Sequence, residues 1–222
     1  MKLPPAVAVM AKVPGATPVK SRLHAALTPE QATELYRCFL LDRLEGLGAL
    51  PGIAHVVAFT PPEAEAAMAE LAPPVYRLVP QEGDGLGERL THLFARLLGE
   101  GHGGVVALDS DSPTLPMAYV ADAALTLAAG DADVVLGPSD DGGYYLIGLR
   151  VACPPLFDGV PWSTPRTRAA TLERCHALGL SVRLLPPWFD VDTADDLARL
   201  RAGLGAAGAP PRTAAFVRTI QS

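Results

Sequence analysis

The first residues in this sequence that could do chemistry are the two acids of an Asp-Ser-Asp segment, Asp109 and Asp111. They follow a short apolar run, Val105 to Leu108, of the kind that fills a buried parallel strand. Prolines at 113 and 116 prevent the next stretch of backbone from pairing in a sheet. Ligands bind at the carboxyl ends of strands in open α/β sheets, and carboxylates there suit Mg²⁺ or Mn²⁺. We therefore expect a metal site here, although Asp111 could instead cap the turn that follows.

A second group of candidate residues is cationic. Lys12, Lys20 and Arg22 lie in a loop, residues 11–23, that follows the first apolar run and is too rich in Pro and Gly to form a helix. Positive charge just past a strand end suits the di- or triphosphate of a nucleotide, whereas an ordinary solvated loop is the alternative. The expected nucleotide-binding set is Ala11, Lys12, Gly15, Lys20, Arg22 and Asp109.

The same loop comes close to a P-loop but does not match one. Gly15 is followed by four residues, then Lys20 and Ser21, as in that motif. The second glycine is replaced by Val19 after a proline, so the backbone N–H groups cannot wrap a phosphate in the required way. We reject the P-loop interpretation.

A third candidate segment combines paired acids with paired glycines. Asp140 and Asp141 precede Gly142, Gly143 and Tyr144, where an apolar strand is predicted to begin. Glycines let a backbone approach a ligand closely, and either carboxylate could contact an acceptor, so we expect Asp140 or Asp141 to be catalytic. An Asp-Gly hairpin turn is an equally good interpretation of the segment.

Two further segments complete the candidate site. Trp162, Ser163 and Thr164 follow an irregular Pro-rich stretch and, together with Gly142 to Tyr144, are expected to border the sugar or acceptor. The alternative is a helix cap with a packed Trp. Asp190 and Asp192 precede a capping box, Thr193 to Asp196, and are free to turn inward. Asp195 and Asp196 instead favour the dipole of the following helix.

The elements that must position these residues alternate along the chain. Apolar runs with the length of strands are separated by segments with helical spacing, and capping signals such as Thr28 to Gln31 mark where helices begin. This alternation predicts one α/β domain over residues 1–203, with a Rossmann-like, mixed but mainly parallel sheet flanked by helices. Residues 204–222, rich in Ala, Gly and Pro, are expected to form a C-terminal tail without a site.

Composition excludes several classes of protein. The 222 residues are 49% hydrophobic and 19% charged, as in a soluble globular protein, and a net charge of −6 argues against a nucleic-acid binder. Residues 1–10 resemble neither a signal peptide nor a membrane span, so a cytoplasmic location is expected. The three cysteines and five histidines show no disulfide or zinc pattern. Of the 18 basic residues only Lys2, Lys12 and Lys20 are lysines.

Together these segments resemble a known family. The segments are Lys12-x-Pro-Gly with Lys20-Ser-Arg-Leu, Asp109-Ser-Asp-Ser-Pro-Thr-Leu-Pro, Gly137-Pro-x-Asp-Asp-Gly-Gly-Tyr-Tyr-Leu-Ile-Gly-Leu, Pro161-Trp-Ser-Thr and Asp190-Val-Asp-Thr-x-x-Asp-Leu. In this order, over about residues 5–200, they are similar to a bacterial family of candidate glycosyltransferases, sometimes found beside radical-SAM genes, of the nucleotide-diphosphosugar transferase superfamily. The first and last segments are also similar to those of phospholactate guanylyltransferases.

The resemblance implies a GT-A fold, in which a metal-bound nucleotide lies at the carboxyl edge of the sheet. It implies that Asp111 is the principal metal ligand, with Asp109 and Asp192 as further ligands. The chain has Lys-Val-Pro-Gly-Ala-Thr-Pro where nucleotidyltransferases have a Gly-rich opening, so the sequence does not predict the base.

Three functions compete. The first is a metal-dependent glycosyltransferase that uses a nucleotide-activated sugar, with the cationic loop on the diphosphate and the metal neutralising the departing nucleotide. The second is guanylyl, uridylyl or cytidylyl transfer to a phosphorylated small molecule with release of pyrophosphate. The third is a non-catalytic nucleotide-binding module. Expected partners are a nucleotide or nucleotide-sugar and a small-molecule acceptor, bound by a monomer or homodimer.

Overall fold

The centre of the molecule is a seven-stranded sheet, seen in a computed structural model that describes residues 2–205 and 208–220. Its strands are β1 (Ala6–Lys12), β2 (Ala54–Thr60), β3 (Arg77–Pro80), β4 (Val105–Leu108), β5 (Val134–Pro138), β6 (Tyr144–Leu149) and β7 (Val182–Leu184). They lie in the order β3-β2-β1-β4-β6-β5-β7. Within the described residues only β6 runs against the others. The predicted mixed, mainly parallel α/β sheet is confirmed.

Seven α-helices connect and cover the strands in the described ranges. They are α1 (Pro29–Gly48), α2 (Glu65–Leu71), α3 (Leu86–Gly99), α4 (Met117–Ala129), α5 (Thr167–Ala177), α6 (Ala194–Gly203) and α7 (Pro211–Thr219). Short 3₁₀ helices occur at Ser21–Ala25, Pro62–Ala64 and Pro154–Phe157. One face of the sheet packs against α1, α2 and α4, and the other against α3 and α5. Strands covered on both faces explain the continuous apolar runs in the sequence.

Two helices begin where the capping boxes predict. Oγ1 of Thr28 accepts a hydrogen bond from the N–H of Gln31, and the side chain of Gln31 accepts one from the N–H of Thr28. Thr193 and Asp196 make the same reciprocal pair at the start of α6. Each box satisfies two backbone donors that the helix itself leaves unpaired, so both boundaries were predictable from sequence.

A third, smaller core lies beside the sheet, under the loop that carries Lys20. Leu23 from the first 3₁₀ helix packs there with Leu35 and Phe39 of α1, Leu197 of α6 and Val217 of α7. Helix α7 lies within the stretch expected to be a tail. Its buried side docks on α1, because Ala214 and Val217 recur at helical spacing and face the same way.

Two connections differ from the simplest interpretation of the sequence. The Asp-Gly segment is a hairpin: β5 and β6 pair in antiparallel fashion around residues 139–143, and Gly142 has a φ of 92°. Helix α5 begins at Thr167 rather than beside Trp162, because a turn with Ser163 at a φ of 59° comes first.

None of the helices in residues 2–205 and 208–220 has the length and apolar composition that crossing a bilayer requires.

Candidate functional site

A cavity of about 480 Å³ opens at the carboxyl edge of the sheet, above the ends of β1, β2 and β4. The polypeptide just beyond β1 and β4 forms most of its wall, as expected for ligand binding in α/β sheets. Its lining residues are Met10, Ala11, Lys12, Val19, Lys20, Ser21, Arg22, Tyr36, Thr60, Gln81, Leu86, Arg89, Asp109, Ser110, Asp111, Ser163 and Asp192.

The centre of this cavity is an ion cluster that joins three distant parts of the chain. Nζ of Lys20 lies 2.8 Å from Oδ1 of Asp111 and 2.7 Å from Oδ1 of Asp192. The lysine side chain is only 3% exposed, whereas each carboxylate keeps about a third of its surface, with 36% for Asp111 and 35% for Asp192. One ammonium therefore bridges both carboxylates from the buried side, and the carboxylates border the open space.

Backbone geometry explains why Lys20 reaches this position. Lys20 adopts the left-handed conformation, with φ 51° and ψ 37°, immediately before the first 3₁₀ helix. That conformation is unfavourable for a residue with a Cβ, and it persists where surrounding contacts hold it. Three residues further on, Leu23 is fully buried in the third core, and the N–H of Leu23 donates to the carbonyl of Lys20.

The segment with Asp192 is tied to the Asp-Ser-Asp loop by its backbone. The N–H of Val191 donates to the carbonyl of Asp111 at 3.0 Å, and the Val191 side chain is buried in the third core. Asp192 therefore faces the cavity. Asp190 is turned to Ser139, whose Oγ donates to its Oδ1 at 3.0 Å, and burial raises the pKa of Asp190.

Charge holds the bridging lysine in its ionised form. Burial by itself would lower the pKa of Lys20, but the negative charges of Asp111 and Asp192 outweigh it and hold the pKa above its ordinary value. Lys20 is therefore a fixed cation at neutral pH. Arg22, which is 70% exposed, lies 3.6 Å from Asp192 and adds a weaker, solvent-screened charge.

Asp109 lies behind this cluster in a drier environment. Its Oδ2 accepts a hydrogen bond from Oγ of Ser112 at 2.6 Å, while its Oδ1 is buried and makes no hydrogen bond with any described residue. Burial raises the pKa of Asp109 to about 7, against the positive charge of Arg43. Arg43 is buried in α1 and donates through Nη2 to the carbonyl of Ser112.

A small polar network joins the ends of β1 and β4. Oη of Tyr36 accepts from the N–H of Lys12 at 2.9 Å and lies 3.0 Å from Oγ of Ser110. Oγ of Ser110 donates in turn to the carbonyl of Met10. Because Tyr36 belongs to the long helix α1, the network fixes the cationic loop and the Asp-Ser-Asp loop to the same rigid element.

The donor set fits a hard divalent ion that shares its coordination with a substrate. Within residues 2–205 and 208–220, no three His, Cys, Asp or Glu side chains converge as a ready-made metal cage. Asp111 and Asp192 do converge, and the ammonium of Lys20 stands between them where a cation is favoured. Mg²⁺ is usually held by one or two carboxylates, waters and phosphate oxygens. Asp111 and Asp192 would hold such an ion, with Asp109 behind them.

The predicted nucleotide-binding residues mostly line the cavity. Ala11, Lys12, Lys20, Arg22 and Asp109 all contribute to its wall. Gly15 does not: among the described residues nothing lies within 4 Å of where its Cβ would be, and its φ of 85° serves the turn of the loop. Lys12 is exposed at the rim and is paired with no carboxylate of the described residues.

The two acids expected to be catalytic are used elsewhere. Oδ2 of Asp140 accepts from Arg199 of α6 at 2.7 Å, and Oδ1 of Asp141 accepts from the N–H of Gly143 at 2.8 Å. Neither is among the described residues that line the cavity. The hairpin turn accounts for both side chains, so the expected contact between these acids and a substrate has no support from their placement.

The predicted acceptor residues are similarly divided. Ser163 lines the cavity, whereas Trp162 packs against Gly87 of α3, where a Cβ would lie 2.6 Å from its Nε1. The ring of Tyr144 stands edge-on to Trp162 at 6.3 Å. Oγ1 of Thr164 accepts from the N–H of Arg166 and donates to a nearby carbonyl, as in a structural turn. Gly142 allows the hairpin to approach this turn, since a Cβ there would clash with Pro165, whereas a Cβ on Gly143 would meet only the side chain of Asp141.

Sequence reasoning missed several residues of the cavity wall. Tyr36 is spaced like a core residue of α1, so its hydroxyl carried no signal. Thr60 and Gln81, by contrast, are polar residues at the carboxyl ends of β2 and β3, where ligand contacts are expected. The Nε2 of Gln81 donates to the carbonyl of Ala58 at 2.7 Å, which fixes its side chain at the cavity edge.

Comparison with known proteins places the chain in a family. A family model described as "Uncharacterized protein conserved in bacteria (DUF2064)" matches residues 44–164, which are 121 of the 222 residues. The chain belongs to the DUF2064 family. The matched segment of this DUF2064 chain contains Asp109 and Asp111, while Lys20 and Asp192 lie outside it.

Longer matches extend over nearly the whole DUF2064 chain. Phosphoenolpyruvate guanylyltransferase of Salinispora arenicola (strain CNS-205) is 32% identical over 206 residues, which cover 90% of this chain and 88% of the relative. The protein of the same name from Rubrobacter xylanophilus (strain DSM 9941) is 32% identical over 198 residues, 87% of this chain and 92% of the relative. These relatives are transferases.

A solved structure confirms the fold. The crystal structure of a candidate nucleotide-diphospho-sugar transferase from Desulfovibrio desulfuricans G20 matches with a TM-score of 0.89 and 31% identity, over 98% of this chain and 95% of that one. The DUF2064 chain therefore has the nucleotide-diphospho-sugar transferase fold, as its sequence resemblance predicts.

Proposed function

We propose that this protein is a metal-dependent nucleotidyltransferase that moves a nucleoside monophosphate, first of all guanylate, from a triphosphate to a phosphorylated small molecule. The proposal reverses the order of the sequence-based hypotheses, in which glycosyl transfer came first. The observation that carries it is the 32% identity to phosphoenolpyruvate guanylyltransferases over 90% of the chain. That aligned length is large enough to include both the cationic loop and the carboxylates around it.

The cavity has the charges that such a reaction needs. An oxygen of the acceptor phosphate attacks the α-phosphorus of the triphosphate, the bond from that phosphorus to the bridging oxygen breaks, and pyrophosphate leaves. Lys12, Lys20 and Arg22 would hold the phosphate oxygens on which negative charge accumulates. A Mg²⁺ or Mn²⁺ ion held by Asp111 and Asp192 would neutralise more of that charge.

Nucleotidyl transfer also agrees with the placement of Asp140 and Asp141. A phosphate acceptor is already largely ionised at neutral pH, because its second pKa is about 6, so it needs no general base. Sugar transfer to a hydroxyl usually requires one. The two acids of the hairpin are bound to Arg199 and to the N–H of Gly143, which suits a reaction that makes no use of them.

A product assay tests the proposal. Purified protein with Mg²⁺, GTP and phosphoenolpyruvate is expected to release pyrophosphate, with ATP, CTP and UTP as alternative donors and other phosphorylated acids as alternative acceptors. The matched control is Asp111→Asn, which keeps the shape of the side chain but removes the charge. No pyrophosphate with any donor and acceptor pair would refute nucleotidyl transfer.

Glycosyl transfer is the second candidate, and a specific observation favours it. The structural match with a TM-score of 0.89 is to a candidate nucleotide-diphospho-sugar transferase. Under this function the protein would release a nucleoside diphosphate from nucleotide-sugars and no pyrophosphate. The same assay with nucleotide-sugar donors separates the two reactions, while a non-catalytic binding module would yield neither product.

A further inference from the structure

The ammonium of Lys20 occupies the place that the divalent ion would take. We propose that the cavity accepts the ion only together with a nucleotide, because Lys20 must leave Asp111 and Asp192 before the ion can bind and needs the polyphosphate as its new partner. The inference rests on the proposed function and concerns the same site. The free protein would then bind a metal–nucleotide complex rather than a free ion.

The ammonium of Lys20 and a divalent ion cannot bind the same carboxylate oxygens at the same time. Nζ of Lys20 lies 2.8 Å and 2.7 Å from the Oδ1 atoms of Asp111 and Asp192. A Mg²⁺ ion would approach carboxylate oxygens to about 2.0 to 2.1 Å. An ion bound to the same oxygens would lie next to the ammonium, and two positive charges at such separation repel strongly in a partly buried site. Lys20 therefore has to move when the metal binds.

Burial makes that movement unfavourable without a new partner. The lysine side chain is 3% exposed, so the ammonium has few water contacts and depends on the two carboxylates for its interactions. Removing one partner from a buried pair leaves an uncompensated charge. A polyphosphate in the cavity offers several oxygens to the ammonium at the moment when the metal takes the carboxylates.

The other cations of the loop cannot take over this role. Lys12 is exposed at the rim, and Arg22 reaches only Asp192, at 3.6 Å and with 70% of its side chain in solvent. Among the described residues, only the side chain of Lys20 lies between the two carboxylates. The left-handed backbone at Lys20, held in place by the buried Leu23, directs it there. Lys20 is therefore the residue that would exchange the two carboxylates for the polyphosphate.

Metal binding without nucleotide gives the first test. Mn²⁺ affinity is measured by the loss of the free-ion electron paramagnetic resonance signal for wild type, Lys20→Gln and Lys12→Gln. Both variants remove one positive charge, but only Lys20→Gln removes the ammonium from between Asp111 and Asp192. We expect Lys20→Gln to bind Mn²⁺ at least about tenfold more tightly than wild type and Lys12→Gln to stay within about twofold. Equal affinity of wild type and Lys20→Gln would overturn the proposal.

The wild-type chain gives a second test that requires no substitution. Because it contains only three lysines, nuclear magnetic resonance of the ¹⁵N-labelled ammonium groups can follow Lys20 directly. We expect millimolar Mg²⁺ alone to leave the Lys20 signal in place and Mg²⁺ with a non-hydrolysable GTP analogue to shift it. A full shift with Mg²⁺ alone would overturn the proposal.

The outcomes separate this inference from the proposed function. If Mn²⁺ binds wild type and Lys20→Gln equally and pyrophosphate is still released, the exchange is refuted and the nucleotidyltransferase stands. If neither protein binds Mn²⁺, with or without nucleotide, both the exchange and the metal site are refuted.

Discussion

The loop of Asp109 and Asp111 and the loop of Asp140 and Asp141 have similar compositions, yet their carboxylates have different partners. In the hairpin, Asp140 is paired with Arg199 and Asp141 accepts a backbone N–H. At the end of β4, the carboxylate of Asp111 is paired only with the ammonium of Lys20 among the described residues, and one oxygen of Asp109 is buried without a hydrogen bond to any described residue. Carboxylates already satisfied by the fold shape a turn, whereas carboxylates that face a cavity and share one buried ammonium remain available to a ligand.

The largest effect that follows from this difference concerns catalysis. Under the proposed function, Asp111→Asn is expected to lower nucleotidyl transfer by about 10³-fold, because loss of a proposed metal ligand would remove about 4 kcal/mol of transition-state stabilisation. Asp140→Asn, which loses only an exposed ion pair, is expected to change the rate by less than about threefold. Steady-state rates of pyrophosphate release measure both. A similar loss of rate in the two variants would mean that Asp140 takes part in catalysis and that the two loops do not differ in this respect.

The next largest effect concerns the packed side of the site. Trp162→Ala is expected to lower the free energy of unfolding by about 2 to 3 kcal/mol, because the half-buried ring fills space against Gly87 and Phe157. Ser163→Ala, at an exposed position in the cavity wall, should cost less than about 0.5 kcal/mol. Urea denaturation measures both. If Trp162→Ala left stability unchanged but reduced acceptor use, the original assignment of Trp162 to the acceptor would be correct.

A third prediction compares two cations of the same loop. Lys20→Ala is expected to destabilise the protein by about 1 to 3 kcal/mol without ligands, because two carboxylates then face each other without their counter-ion. Arg22→Ala should change stability by less than about 0.5 kcal/mol. Nucleotide affinity should fall in both, since a charge-assisted phosphate contact contributes about 1.5 to 3 kcal/mol. Thermal unfolding and nucleotide titration check these values. Unchanged nucleotide affinity in both variants would show that this loop does not bind the nucleotide.

The smallest effect concerns a carboxylate that the fold satisfies completely. Hydrogen bonds from Arg150, and then from Ser181, lower the pKa of Asp133 to about 2. A lowered pKa contributes stability that is present above the unfolded value near pH 4 and is lost as the pH falls toward 2. After discounting for solvent, we expect about 0.5 to 1 kcal/mol. The difference in unfolding free energy between wild type and Asp133→Asn should therefore shrink as the pH falls from about 4 to about 2, and a constant difference across that range would contradict the prediction.

Local signals in the sequence predicted most of the fold because they have local causes. Capping boxes at Thr28 and Thr193 satisfy backbone donors within one helical turn, and apolar runs such as residues 105–108 fill a sheet covered on both faces. The reversal of β6 was open, because the Asp-Gly signal allowed a hairpin or a ligand loop and only pairing with β4 and β5 decides between them. Helix α7 was missed because it lies in a stretch rich in Ala, Gly and Pro and because its stability depends on contacts with α1, which is distant in sequence.

The candidate site was predictable in its residue types but not in its contacts. Three charged residues now found in one cluster, at positions 20, 111 and 192, were named from strand ends and loop composition. That Lys20 bridges both acids depends on a left-handed backbone and on a third core shared by four elements, neither of which has a signature in the sequence. The hydroxyl of Tyr36 and the side chain of Gln81 likewise acquire their positions only when helix and sheet pack together.

One feature of the fold bears on how the molecule assembles. The N–H groups of Arg212 and Thr213, in the first turn of α7, donate to the buried carboxylate of Asp42 in α1 at 3.1 and 2.8 Å. A nine-residue helix is too short to persist alone in water, and here its cap is supplied by another helix. Helix α7 should therefore gain its structure upon docking and lose it as a unit, so that its amide protons exchange together in a single opening event. The same event would uncover the part of α1 that surrounds Asp42 and leave a negative charge without its partners.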